Sequence, residues 1–286
     1  MSDPNGPAVT LPAPTLDHVV VNARDRMDDA EALYRRLGFQ LTPRGYHTLG
    51  SINHLAIFGT DYLELIGAPP GNARSEVLAW PHGLNGLVFG TEDSASVHAA
   101  LTAAGVESSA PKEFSRPVEL PGGGVQDAVF RTVGLPRELA SAGRLYFCHH
   151  FTRGLVWRDE WRVHPNGVVG VAGAVIAARA PEVHAGLFRR MFGADAVPAI
   201  DGGFRLVVGL SSFDVVTPKA LEALYATAAP GADGRESWMA ALRLRTRSVA
   251  MAGRVLGQGG ISFAEGEGRI VVPSTEAMGV TLEFIG

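Results

Sequence analysis

The chain has 286 residues, 46% hydrophobic and 19% charged, a balance that supports a sizeable buried core and excludes long disorder. Its 25 basic and 29 acidic residues leave a formal charge of −4, which offers no electrostatic footprint for nucleic acid or an anionic membrane. A single cysteine, Cys148, excludes a disulfide framework and any metal site built on paired thiolates, and the longest apolar stretch, 168–178, is too short to span a bilayer.

Residues 1–14 are polar and proline-rich, without a basic segment leading into an apolar run. They read as a disordered tail rather than a secretory signal, in a cytoplasmic protein. A strand is expected over 16–21. A helical pattern follows, with Ala30, Leu33, Tyr34 and Leu37 on one face and Gly38 at its end. Strand-like runs come next at 39–41, 52–58 and 62–66. The sequence then repeats this order: a strand at 84–89, a helix over 94–104 closed by Gly105, and strands near 113–120, 125–133 and 144–150. A third unit has a strand at 171–177, a helix over 181–192 opened by Pro181 and closed by Gly193, and strands near 196–200, 204–209 and 213–216. The fourth has a strand at 239–245, a helix from Ser248, and strands at 261–264, 269–272 and 280–285.

The openings fall in two pairs, each 68 residues apart: 16 to 84 and 171 to 239. Helices one and three share the pattern Leu33-Tyr34-Arg35-Arg36-Leu37-Gly38 and Leu187-Phe188-Arg189-Arg190-Met191-Phe192-Gly193. The endings Tyr62-Leu63-Glu64-Leu65-Ile66-Gly67 and Thr281-Leu282-Glu283-Phe284-Ile285-Gly286 are copies as well. The expected organisation is therefore a tail (1–14), an N-terminal domain (15–150, units 15–68 and 83–150), a linker (151–167) and a C-terminal domain (168–286, units 168–217 and 238–286).

Four strand-helix-three-strand units in two pairs resemble the vicinal oxygen chelate superfamily. The pieces Leu16-Asp17-His18-Val19-Val20, Leu37-Gly38-Phe39, His47 with Asn53, Tyr62-Leu63-Glu64-Leu65-Ile66 and His164-Pro165-Asn166-Gly167 look like its glyoxalase-like domain family. The resemblance implies an α+β fold of four βαβββ modules, forming two paired domains whose curved mixed sheets surround a cavity. It also implies that ligands come from the first and last strands of each module.

In the N-terminal half those strands offer His18, Glu64 and His149, with His150 as the alternate one residue along; the opening strand of the second module offers only Gly86. Alternation places Leu16, His18 and Val20 on one face and turns Cys148 away from the cavity. Two imidazoles and a carboxylate suit an open divalent site for zinc, iron, manganese, nickel or cobalt. Glu64 also stands between Leu63 and Leu65, where a buried carboxylate needs a cation, a hydrogen-bond network or water; Arg44 or Arg116 is the other partner available to it. His47, Asn53, His150 and Trp157 are the candidate substrate contacts, although Trp157 and Trp161 also suit a staple between the halves. In the C-terminal half the matching positions are Gly173 or Ala172, Val215, Ala241 and Glu283, a ligand-poor copy.

The reading these residues support is a divalent-metal-dependent lyase or isomerase acting on a small oxygenated metabolite, with Glu64 as the catalytic carboxylate. The alternative is a non-catalytic small-molecule binding or sequestering protein of the bleomycin-resistance type. An extradiol-type dioxygenase is disfavoured, because its metal would sit in the ligand-poor half. The expected partner is a small molecule, with neither nucleic acid nor membrane, and a homodimer is compatible with the sequence.

Overall fold

The computed structural model describes residues 10–72 and 75–286. The first module comprises β1 (Leu16–Arg24), α1 (Met27–Arg36), β2 (Gly45–Tyr46), β3 (Ile52–Ile57) and β4 (Tyr62–Gly67). A short helix, α2 (Ser75–Leu78), leads to β5 (Gly83–Thr91), α3 (Ser94–Ala103), β6 (Lys112–Glu119), β7 (Val125–Gly134) and β8 (Arg144–His150). The third module holds β9 (Val168–Ala178), α4 (Pro181–Phe192), β10 (Ala199–Ile200), β11 (Gly203–Val208) and β12 (Ser211–Val216). After α5 (Pro218–Tyr225), the fourth holds β13 (Ser237–Thr246), α6 (Val249–Gln258), β14 (Ala264–Gly266), β15 (Arg269–Val272) and β16 (Thr281–Ile285).

These strands build two eight-stranded mixed sheets of identical topology, β2-β3-β4-β1-β5-β8-β7-β6 and β10-β11-β12-β9-β13-β16-β15-β14. In each sheet the two opening strands pair antiparallel at the centre, and each has its own module's last strand parallel on its other side. The 68-residue period is thus the spacing between strands related by a local two-fold. The N-terminal sheet curls until its edges almost meet: Thr48 N donates to Ser115 O at 3.0 Å, joining the segment after β2 to β6.

Local chemistry starts the helices where side-chain oxygens can take free amides. Asp93 accepts from Ala95 N and Ser96 N, and Ser248 accepts from Met251 N. Thr217 caps α5, whose first residue is Pro218; this helix and α2 lie outside the repeated pattern and were not expected. The run 39–41 is not a strand. Phe39 and Leu41 are buried in the core, so their apolarity reflects packing rather than a ladder, and the short β2 takes the edge position. The run 261–264 likewise gives way to β14, because Ile261 is a buried residue tied to the end of α6 by its N–H to Leu256 O.

The outer faces of both sheets share one core. Phe89 of the N-terminal sheet packs against Phe192 and Phe213 of the C-terminal half, and Phe39 against Phe284. The tail is shorter than expected: Leu11 is buried and donates to Met191 O at 2.8 Å, while residues 1–9 lie outside the described residues. The turn at His164–Gly167 is a structural pin. His164 accepts from Gln40 N and donates to Ile57 O, and Asn166 donates to Leu37 O. No described helix is long and apolar enough to cross a membrane.

Candidate active site in the N-terminal sheet

The concave face of the N-terminal sheet encloses a cavity of about 750 Å³. Strand alternation decides what enters it. β1 contributes His18, β3 contributes Asn53 and Leu55, and β4 contributes Tyr62, Glu64 and Ile66. From the second module come Phe114 and Arg116 on β6, Phe130 on β7, and Arg144, Tyr146 and Cys148 on β8. Leu16 does not share this face with His18. The β1–β5 register shifts between them, and Leu16 joins the outer core.

That irregularity also brings Asp17 round beside His18. Asp17 Oδ1 lies 2.6 Å from His18 Nδ1 and 3.0 Å from His150 Nε2. Burial opposes ionisation of Asp17, yet the His150 and His18 rings outweigh it and hold the carboxyl far below its ordinary range. An ionised carboxylate can only accept, so His18 Nδ1 carries a hydrogen, and it is Nε2 of the neutral ring that can offer a lone pair to the cavity. Tyr146 Oη lies in hydrogen-bond contact with that nitrogen at 3.1 Å, and Tyr62 stacks on the ring at 4.4 Å.

Glu64 Oε2 stands 3.7 Å from His18 Nε2. The other oxygen, Oε1, accepts from Asn53 Nδ2 at 2.7 Å. Burial pushes this carboxyl up, but His18, His47 and the Asn53 amide overcome it, and the net direction is down. Neither expected arginine pairs with Glu64. Arg44 lies outside, bonded to Asp28 and Glu31, and Arg116 acts on Glu64 only at longer range. His47 lines the cavity with its Nδ1 2.8 Å from Ser51 Oγ, and Asn53 Nδ2 approaches its Nε2 at 3.3 Å.

On β8 the register differs by one residue from the first expectation. Tyr146, Cys148 and His150 take the inner face, while His149 stacks against Phe151 on the outer one. The pairings explain it: Val20 opposes Glu64 across β1–β4 as Val88 opposes Tyr146 across β5–β8. The two-fold counterpart of Glu64 is therefore Tyr146, and that of His18 is Gly86. His150 and Trp157 do not line the cavity. Trp157 packs on Tyr62 and His150, and Arg153 covers it at 3.5 Å; these partners belong to the N-terminal half and the linker, so the ring does not staple the halves. Asp17, Cys148 and His150 bring donor atoms within 4.8 Å of one another, a group able to hold a metal ion, although burial pushes the Cys148 thiol well up.

A family model described as a glyoxalase-like domain matches residues 16–192. The chain belongs to the glyoxalase-like domain family. No curated protein sequence matches it. Among solved structures, it is similar to a hypothetical protein from Staphylococcus aureus, at 12% identity and a TM-score of 0.62 over 95% of this chain and 98% of that one. A variant of 4-hydroxymandelate synthase from Streptomyces coelicolor matches at 14% identity and a TM-score of 0.60, over 96% and 93% of the two chains. A fusion of a xylose isomerase-like TIM barrel with 4-hydroxyphenylpyruvate dioxygenase matches at 14% and 0.60, over 99% of this chain and 51% of that one. These likenesses show the vicinal oxygen chelate fold; they do not transfer an activity.

Within this glyoxalase-like chain the second sheet fills the same positions with different side chains. Asp214 pairs with Val175 of β9, so Asp214, not Val215, is the counterpart of Glu64. Glu283 takes the place of Tyr146 and Gly173 that of His18. Two carboxylates therefore face inward, where one was expected. Arg243 bridges them, reaching Asp214 at 2.6 Å and Glu283 at 3.2 Å, while Arg205 and Arg269 take the remaining oxygens. A guanidinium fills the centre of this glyoxalase-like sheet.

Proposed function

We propose that the protein is an enzyme that moves a proton in a small oxygenated metabolite bound in the N-terminal cup, a lyase or isomerase type of reaction supported by a divalent ion. One observation carries this reading: two electron-pair donors, His18 Nε2 and Glu64 Oε2, face each other across 3.7 Å with His18's hydrogen committed to Asp17 on the far side. An imidazole nitrogen and a carboxylate oxygen so placed would hold a divalent ion. The carboxylate behind His18 is the partner that metal-bound imidazoles ordinarily have. The donor set thus fits an ion held by His18 and Glu64, with the Tyr146 hydroxyl beside them and no part for His149. When bound, the ion would polarise a substrate oxygen and stabilise the charge that develops on it.

The protein's own groups do the rest. Asp17 fixes the His18 ring, and Asn53 holds Glu64 by Oε1; Oε2 is the one oxygen left to serve both the ion and a proton taken from a neighbouring carbon or hydroxyl. Tyr146 has a hydroxyl that burial keeps protonated, so it can donate to a developing oxyanion. The Asp17–Cys148–His150 group is less suited to the ion, since Asp17 Oδ1 already serves two imidazoles.

The apolar walls, with Phe114 and Phe130 stacked at 5.2 Å, favour a second reading, a binding protein without chemistry. Elemental analysis of protein purified without chelator separates the two. Near-stoichiometric divalent metal in the wild type, lost in both His18→Ala and Glu64→Ala, is the outcome expected, followed by turnover of α-hydroxy carbonyl compounds. Protein that stays metal-free after reloading sinks the enzyme reading and leaves the binding one.

A further inference from the structure

Arg116 is a buried charge of the cavity without a close protein partner among the described residues. Its side chain is buried, with the residue 6% exposed. Among the described residues no carboxylate lies within 4 Å of its guanidinium, and its five N–H groups make no hydrogen bond, although it lines the cavity. Its neighbours are small: Ala128 sits directly across on β7, and Gly45 lies beside it on β2. A Cβ on Gly45 would collide with Asn53 Oδ1 and come within 3.2 Å of Arg116 Nη1. The other two cavity arginines are occupied: Arg144 donates to Asn85 Oδ1 at 3.0 Å, and Arg137 lies over the Trp80 ring at 4.1 Å.

Asn53 supplies an independent observation beside it. Its Nδ2 must face Glu64, because a carboxylate accepts and cannot donate. That fixes Oδ1 on the opposite side, buried and without a partner. A bare guanidinium and a bare acceptor therefore stand together around Gly45. A buried cation without a counter-charge is strongly unfavourable, as is a buried unpaired carbonyl, and one ligand can relieve both.

We propose that Arg116 and Asn53 form the recognition subsite for a 2-hydroxycarboxylate. The planar fork of Arg116 takes the carboxylate; the adjacent hydroxyl donates to Asn53 Oδ1. Asn53 also holds Glu64 through its Nδ2, so the subsite borders the reacting centre. Phe114 and Phe130 leave an apolar wall for an aromatic or alkyl substituent. This inference deepens the enzyme reading by naming its substrate class, but it stands on groups other than the proposed ion ligands.

The test is thermal unfolding with three probes: 3-phenyllactate, 3-phenyllactamide without the charge, and 3-phenylpropanoate without the hydroxyl. Each is run with and without EDTA, on wild type and on Arg116→Met. Expected are a rise in Tm of roughly 3 °C or more with saturating 3-phenyllactate, a smaller rise with 3-phenylpropanoate and none with the amide, all unaffected by EDTA. Arg116→Met should lose the response and, without any probe, melt above wild type, because an uncompensated charge has gone. Any of four results would overturn the proposal: a lower Tm for unliganded Arg116→Met, which would make the arginine structural; an equal response to the amide; no response in the wild type; or a response abolished by EDTA, which would give the carboxylate to an ion. A protein that binds no metal but responds as described would retain the subsite while the ion reading fails.

Discussion

Asp17 shows how much a single side chain can organise. Its carboxylate is held ionised by His150 and His18 against the opposition of burial, so its folded-state affinity for a proton lies below the unfolded one. The stabilisation from this group is complete above the unfolded value of 3.8 and is lost as the pH falls below it. Asp17→Asn should cost about 2 kcal/mol at pH 7 and should flatten the decline in Tm between pH 5 and pH 3, which thermal melts across that range would detect. Asp17 was invisible to strict alternation, which sends it to the opposite side from His18. Only the register shift in β1 brings it round, and nothing in a run of hydrophobic residues announces such a shift. Glu64 was legible for the opposite reason. A carboxylate between two leucines in a buried strand has no cheap explanation, and its surroundings in the structure supply one. Glu64→Gln preserves the volume and should abolish turnover while changing Tm by less than about 3 °C, since Asn53 can still bond the amide oxygen.

At the level of elements, the two central strand pairs dictate where every cavity residue lies. The opening strands, the 68-residue period and the glycine helix ends were readable because each has a local cause: an apolar run, a duplicated pattern, a left-handed C-terminal residue. The β8 register was not, because Tyr146, Cys148, His149 and His150 give no alternation of polarity with which to choose a face. Pairing with β5 makes that choice. Glycines test the argument at two strands. Gly45→Ala drives a methyl into Asn53, whose amide is pinned to Glu64, and should destabilise by about 1–3 kcal/mol while raising the apparent KM. In the second sheet Gly173 is the counterpart of His18, but a Cβ there would strike the Ser212 carbonyl directly across on β12. Gly173→Ala should therefore be among the most damaging glycine substitutions in β9, measurable as lost soluble expression or a Tm drop of several degrees, and a histidine cannot be restored there by one mutation.

Across the whole molecule, the two halves are joined by Asp61 as well as by the shared core. Asp61 Oδ1 accepts from Val171 N at 2.8 Å, tying the β3–β4 turn to the start of the C-terminal sheet. Burial raises its carboxyl from 3.8 to about 6, outweighing the Val171 bond and the Arg245 charge. A raised value means the folded state binds the proton more tightly. The contribution is fully favourable below the unfolded value and drains away as the pH rises through about 6. Asp61→Asn keeps the acceptor and removes the charge, so it should raise stability above pH 6.5, by up to about 3 kcal/mol, and leave it unchanged near pH 4; chemical denaturation at the two pH values is the check. The joint could not be anticipated, since Asp61 reads from sequence as an ordinary turn residue.

The Arg243 bridge between Asp214 and Glu283 has a thermodynamic meaning of its own. A cation that arrives by diffusion has a dissociation constant, and dilution, a competing ion or a chelator can strip it from its ligands. A cation carried on the chain has none; its local concentration is set by covalent connectivity and cannot be titrated away. The second sheet therefore keeps its shape under conditions that would strip the ion proposed for the first. Because both press on one core, it gives the N-terminal sheet a permanent mould, loaded once, at folding.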